Sequence, residues 1–235
     1  MAGCRGPAAP APHAVHYALA WDRDGVAAGP AGWDVTTDRG YRVHVARGWV
    51  TAYSMELVEC PKATSLRDLL APPRAWAGHT SGTPNPAAIR PLQVESLTEP
   101  EDRDVGTVTL APQAYCQVHY LIARAARESP GLPRDIDMVD ASLHVEGTYQ
   151  AADAAAPTPF AIHTPIANGG LFDHTATSAP IAVDTGREAA RVTIRRRLRA
   201  IFDGVDFAKT TDAVRAERIL AAIVDHAGVE IAITR

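Results

Sequence analysis

Several things are scarce or missing in this chain of 235 residues. No run of about 18 apolar residues occurs, so nothing in it spans a bilayer as a helix. Lys62 and Lys209 are the only lysines among 23 basic residues, a bias of coding composition from which no function follows. There is no Gly-x-Ser-x-Gly, no phosphate-cradling or dinucleotide glycine pattern and no His-Glu-x-x-His, and the expectation is a protein that is not an enzyme. Positive charge is not in excess either. A net charge of -4 and a pI near 6.1 leave no electrostatic footprint for nucleic acid, and the one basic cluster, Arg195 to Arg199, alternates with apolar residues as a solvated strand face does. Cysteine is limited to three residues with no Cys-x-x-Cys, which excludes the common zinc and redox spacings.

What is present begins with Cys4. Ala2-Gly3-Cys4 has the form in which a bacterial lipobox ends, and a Pro/Ala-rich stretch follows directly, so residues 1–14 read as a lipobox remnant and an extended tether. The alternative is a chance cysteine near an ordinary N-terminus. Under the lipobox reading the protein is exported to the periplasm, outer membrane or cell surface, and its membrane contact is a lipid on Cys4. Cys60 and Cys116 sit in two separate strand-like segments, which predicts a disulfide in an oxidising compartment, against the alternative of two buried free thiols. The bond would close a loop of about 55 residues and contribute roughly 4 kcal/mol.

Residues 15–235 read as one domain; 46% apolar content supplies its core. Strands are expected at 16–21, 33–37, 41–45, 49–60, 105–110, 115–122, 141–149, 160–164, 181–184, 191–200 and 229–234, separated by Gly- and Pro-containing turns. Val50, Ala52, Val58 and Cys60 would share one face of their strand, with Trp49, Tyr53, Met55 and Leu57 on the other. Residues 61–112 are interrupted by proline throughout and read as irregular. One helix is expected, with Thr211 or Asp212 as N-cap, apolar residues at 216, 219, 220, 223 and 227, and Gly228 as the C′ residue. Asp203 and Asp206 read as a turn; a calcium loop needs more oxygen donors. The fold class expected is all-β, an immunoglobulin-like β-sandwich with long Pro-rich loops and one late α-helix.

Histidine recurs on the polar faces of these strands. His44, His119 and His144 point away from the valines and leucines by alternation, and Glu146 follows His144 on the same face. Histidines on neighbouring strands, about 4.8 Å apart, can share a metal ion, and imidazole suits copper, zinc or nickel. His79, in the irregular region, is a further ligand candidate from a loop, and His163, just before Thr164-Pro165, is another that could complete a site. The predicted ligand set is His44, His79, His119 and His144.

Three stretches carry a resemblance: Thr107 to Tyr120, Asp137 to Gly147, and Leu198 through Phe202-Asp203-Gly204-Val205-Asp206-Phe207. In order and pattern they resemble the methanobactin-associated periplasmic copper-binding proteins over the C-terminal half of the chain. The family's four-cysteine set, and the tryptophan expected in the segment after Met138, are absent. The resemblance implies a β-sandwich that binds a copper ion through histidines, and a di-haem, peroxidase-like protein partner. The function expected is an exported, lipid-anchored, transition-metal-binding β-sandwich; the alternative is an extracytoplasmic protein- or glycan-interaction module without metal, using the 61–112 segment and Trp76.

Overall fold

The computed structural model describes residues 13–29, 31–60, 87–90, 93–110, 114–173, 181–182 and 189–234. Cys4, most of the tether, Trp76 and His79 lie outside the described residues. Among the described residues there are fourteen strands, one 3-10 turn and one helix. They are β1 (His13–Asp22), β2 (Ala27–Gly29), β3 (Gly32–Thr36), β4 (Arg42–Glu59), β5 (Ala88–Ile89), β6 (Gln93–Ser96), β7 (Arg103–Leu110), β8 (Ala114–Ile122), β9 (Leu143–Gln150), β10 (Thr158–Thr164), β11 (Asn168–Asp173), β12 (Ile181–Ala182), β13 (Ala189–Arg197), α1 (Asp212–Asp225) and β14 (Gly228–Thr234). The fold is all-β with one late helix, sandwich-like and not a closed barrel, as expected. Strand β1 already pairs with β7 at His13, so His13 and Ala14 belong to the folded domain and not to the segment 1–14 set apart from sequence.

One sheet has the order β14-β13-β1-β7, with β1 parallel to β13 and antiparallel to β7. The larger sheet is organised by β4, whose 18 residues merge two segments that alternation had separated. Along one edge β4 pairs in succession with β3, β6 and β5; along the other it pairs with β9 and then β8. Strands β10 and β11 add outside β9 and β8.

Two bulges keep the apolar side of β4 turned inward. The register skips Ala46 against β9 and Tyr53 against β8, and each extra residue reverses the side-chain phase. Val43, Val45, Val50, Ala52, Met55 and Leu57 are consequently all buried. This corrects the uniform alternation expected for residues 49–60, which grouped Val58 and Cys60 with Val50. A third skip falls on Cys116 of β8, opposite Val58 and Glu59. There Cys60 and Cys116 are joined in a disulfide with Cα atoms 4.7 Å apart, inside the range such a bridge requires.

Between the sheets, Tyr17, Leu19, Val192 and Ile194 meet Val45, Val118, Ile122 and Val145 in one buried core. Thr211 caps α1, its hydroxyl accepting from the Val214 N–H, and Ala216, Ile219, Leu220 and Ile223 are its buried stripe. The helix lies over β10 and β11; a Cβ on Gly170 would come within 2.5 Å of Val224 Cγ1, so glycine is what lets the helix approach. Gly228 is not the C′ residue: it opens β14 and lacks a positive φ, while His226 closes the helix. Asp206 is engaged by the Tyr41 hydroxyl at 2.8 Å and Arg39 at 3.0 Å, in keeping with a structural turn.

A buried ion pair joins the two sheets. Arg196 of β13 donates to both carboxylate oxygens of Glu95 of β6, each at 2.7 Å, and to the Tyr120 hydroxyl at 3.2 Å. The guanidinium lies 4.1 Å over the Trp21 ring. Burial alone would lower its pKa, yet the adjacent Glu95 carboxylate holds it above the ordinary value.

Candidate metal centre

The outer face of the larger sheet carries every strand histidine singled out from sequence, and register decides which of them meet. Cross-strand rows run Asp34–His44–Thr148–Pro159, Arg47–Glu146–Ala161 and Trp49–His144–His163 over β3, β4, β9 and β10. His44 lies opposite Thr148, four residues along β9 from His144, a separation of roughly 13 Å at strand rise. His119 lies opposite Glu56 of β4, whereas His144 lies opposite Trp49. Strands β8 and β9 belong to one sheet but follow each other along β4 instead of pairing, which puts His119 roughly 20 Å from His144. His44, His119 and His144 are therefore not brought together. Among the described residues no group of three or more His, Cys, Asp or Glu side chains is placed to hold a metal ion.

Each of the three has its own carboxylate. Asp34 Oδ1 stands 2.9 Å from His44 Nδ1, Glu56 Oε1 stands 3.1 Å from His119 Nδ1, and Glu146 Oε1 stands 2.9 Å from His144 Nε2. His44 and Asp34 line a shallow cleft of about 510 Å³.

What the structure does bring together is His144 and His163, paired directly across the β9–β10 hairpin. Their Nδ1 atoms are 3.2 Å apart and their rings 5.4 Å apart, edge to face. Trp49 packs on the other side of His144, centroid to centroid 5.9 Å. That indole is held in turn by a small second cluster of Val94, Ala125, Met138 and Ala141 beneath the 123–142 segment. The His144 side chain is consequently only 9% exposed, while His163 is open to solvent.

The electrostatics fix the state of His144. Burial pushes its pKa below the ordinary 6.5, outweighing the raising effect of Glu146. The neutral ring donates its Nε2–H to Glu146, so its Nδ1 carries the lone pair and faces His163. Glu146 is itself steadied by Arg47, whose Nη1 is 3.8 Å from Glu146 Oε2 and which also pairs with Asp135. In the sequence, His163 stands out only as a secondary candidate at the end of the strand expected at 160–164, outside the predicted ligand set. A clearer signal was there: His144 and His163 are nearly equidistant from the turn at 151–157, so a regular hairpin must face them across the strands.

No protein-family model, no curated protein and no solved structure matches this chain.

Proposed function

We propose that this is an exported domain that binds a transition-metal ion, copper foremost, between His144 Nδ1 and His163 Nδ1. The observation that carries the reading is the 3.2 Å between those two nitrogens. Metal–nitrogen bonds of about 2.0–2.1 Å spanning that gap meet at an angle of about 100°, close to tetrahedral. The Glu146 carboxylate on the far nitrogen of His144 supports it further, since ligating histidines usually donate their second N–H to such a group, which fixes the tautomer and raises ligand basicity. His163 needs only its Nε2–H tautomer, available to an exposed ring. Copper leads because neutral imidazole suits it and it binds most tightly of the divalent first-row ions. Two protein ligands leave the remaining positions to water or an added ligand. Export and a lipid anchor at Cys4 belong to the same proposal, supported by the Ala2-Gly3-Cys4 motif and by a disulfide of the kind oxidising compartments preserve.

Calorimetric titration of untagged protein with Cu(II) tests the site. The wild type should take up one ion per chain; His144→Ala and His163→Ala should each weaken binding at least about tenfold, and Glu146→Gln about 10- to 100-fold. His44→Ala and His119→Ala should leave affinity unchanged. No uptake by the wild type, or loss confined to His44→Ala or His119→Ala, overturns the assignment.

A further inference from the structure

The strand edges of this fold are guarded unequally. Strand β2 has only three residues, β10 carries Pro159 and β11 has paired glycines at 169 and 170. Strand β7 is bent where its register against β1 skips Val105, carries Arg103 and Asp104, and lies against β5. Short length, proline, charge and bulges are the devices that keep sheet edges from pairing. Strand β14 is neither short nor bulged and has no proline. It runs seven residues, Gly-Val-Glu-Ile-Ala-Ile-Thr, pairs with β13 in unbroken register and, among the described residues, has no strand on its other side. Its single charge, Glu230, is already neutralised by Arg195 through two hydrogen bonds of 2.6 and 3.1 Å. Val229 and Ile231 are half-buried and continuous with the main core.

We infer that β14 is a homodimer edge, pairing antiparallel with β14 of a second copy to join two four-stranded sheets into one. A second copy is favoured by the strand's self-complementarity. The register that pairs all seven residues has its twofold axis at Ile231, setting Val229 opposite Ile233 and Glu230 opposite Ala232. No like charges then face each other, and the half-buried isoleucine packs on its own symmetry mate. A register centred on Glu230 would oppose two carboxylates and leave residues unpaired.

Two substitutions at the exposed Ala232 separate dimerisation from folding, because their effects on the two run in opposite directions. Within one chain residue 232 lies opposite Arg191. Ala232→Glu gains that arginine as a partner in the monomer but faces Glu230 of the second copy twice across the axis. Ala232→Lys meets Arg191 in the monomer but faces Glu230 across the axis. In sedimentation equilibrium the wild type should reach twice the 25.0 kDa chain mass at micromolar concentrations. Ala232→Glu should raise the dimer dissociation constant about five- to tenfold without lowering the melting temperature of the dilute monomer. Ala232→Lys should lower the constant by a similar factor while lowering that melting temperature. A wild type that stays monomeric to the highest concentration, or a dimer that both substitutions leave unchanged or shift in the same direction, overturns the inference.

Discussion

Replacing Arg196 by methionine should be among the most damaging single changes available to this protein. The arginine is 0% exposed and its partner Glu95 3%, so the substitution strands a carboxylate between two sheets with neither oxygen served by the guanidinium. Breaking a buried pair from one side costs about 3–5 kcal/mol. Loss of the guanidinium from the Trp21 face, a desolvated stacking contact, places this site toward the upper end of that range. For a chain of this size each kcal/mol moves the melting temperature by about 2–4 °C, so a fall of roughly 6–20 °C is expected. Urea denaturation of the oxidised protein measures the loss directly. The double substitution Arg196→Met with Glu95→Leu should recover most of it, coming within about 1 kcal/mol of the wild type or exceeding it, because the desolvation penalty disappears together with the pair. A single variant within about 1 kcal/mol of the wild type, or a double variant no better than the single one, would show that the buried carboxylate does not depend on Arg196.

Replacing Cys60 and Cys116 together by serine should lower stability by about 4 kcal/mol through release of the loop of sequence separation 56; a urea midpoint that barely moves would contradict the bridge's role. His144 makes the metal-free protein sensitive to acid. Its folded pKa is lowered, chiefly by burial, so its neutral ring contributes fully above the ordinary 6.5 and that contribution is lost as pH falls through the lower folded value. Between pH 7.5 and 5 the wild type should therefore lose stability faster than His144→Gln, and equal slopes in the two proteins would exclude the effect. Copper affinity should fall over the same interval, since protonation removes the lone pair at Nδ1.

Much of the fold was legible because its strands obey simple alternation. On β9 the sequence Leu143 to Gln150 places His144 and Glu146 opposite Leu143 and Val145, as the structure does. The Cys60–Cys116 pairing followed from two cysteines on separate strands. The sequence was less informative where the physics is non-local. Bulges at Ala46 and Tyr53 depend on which partner strand β4 meets, and period-2 reading cannot see them. Short strands β5 and β6 fall in a region that its prolines made look irregular, and β11 is hidden by Gly169 and Gly170, which carry little strand propensity. The histidines show the same divide. That His44, His119 and His144 face outward was readable residue by residue, but which of them lie side by side depends on the order of strands along β4. Arg196 does not belong to a solvated face: alternation from Val192 and Ile194 puts it on their buried side, and what the local sequence does not reveal is Glu95, 101 residues away, which meets it there.

Anomalous diffraction from a copper-loaded crystal locates a metal ion bound between the two nitrogens proposed to hold it, without reference to activity. A copper peak is expected about 2.0–2.1 Å from Nδ1 of both His144 and His163, with the Glu146 carboxylate still hydrogen-bonded to His144 Nε2. A peak at the Asp34–His44 cleft or beside His119, or no peak in protein shown to be saturated with copper, would contradict the proposed site.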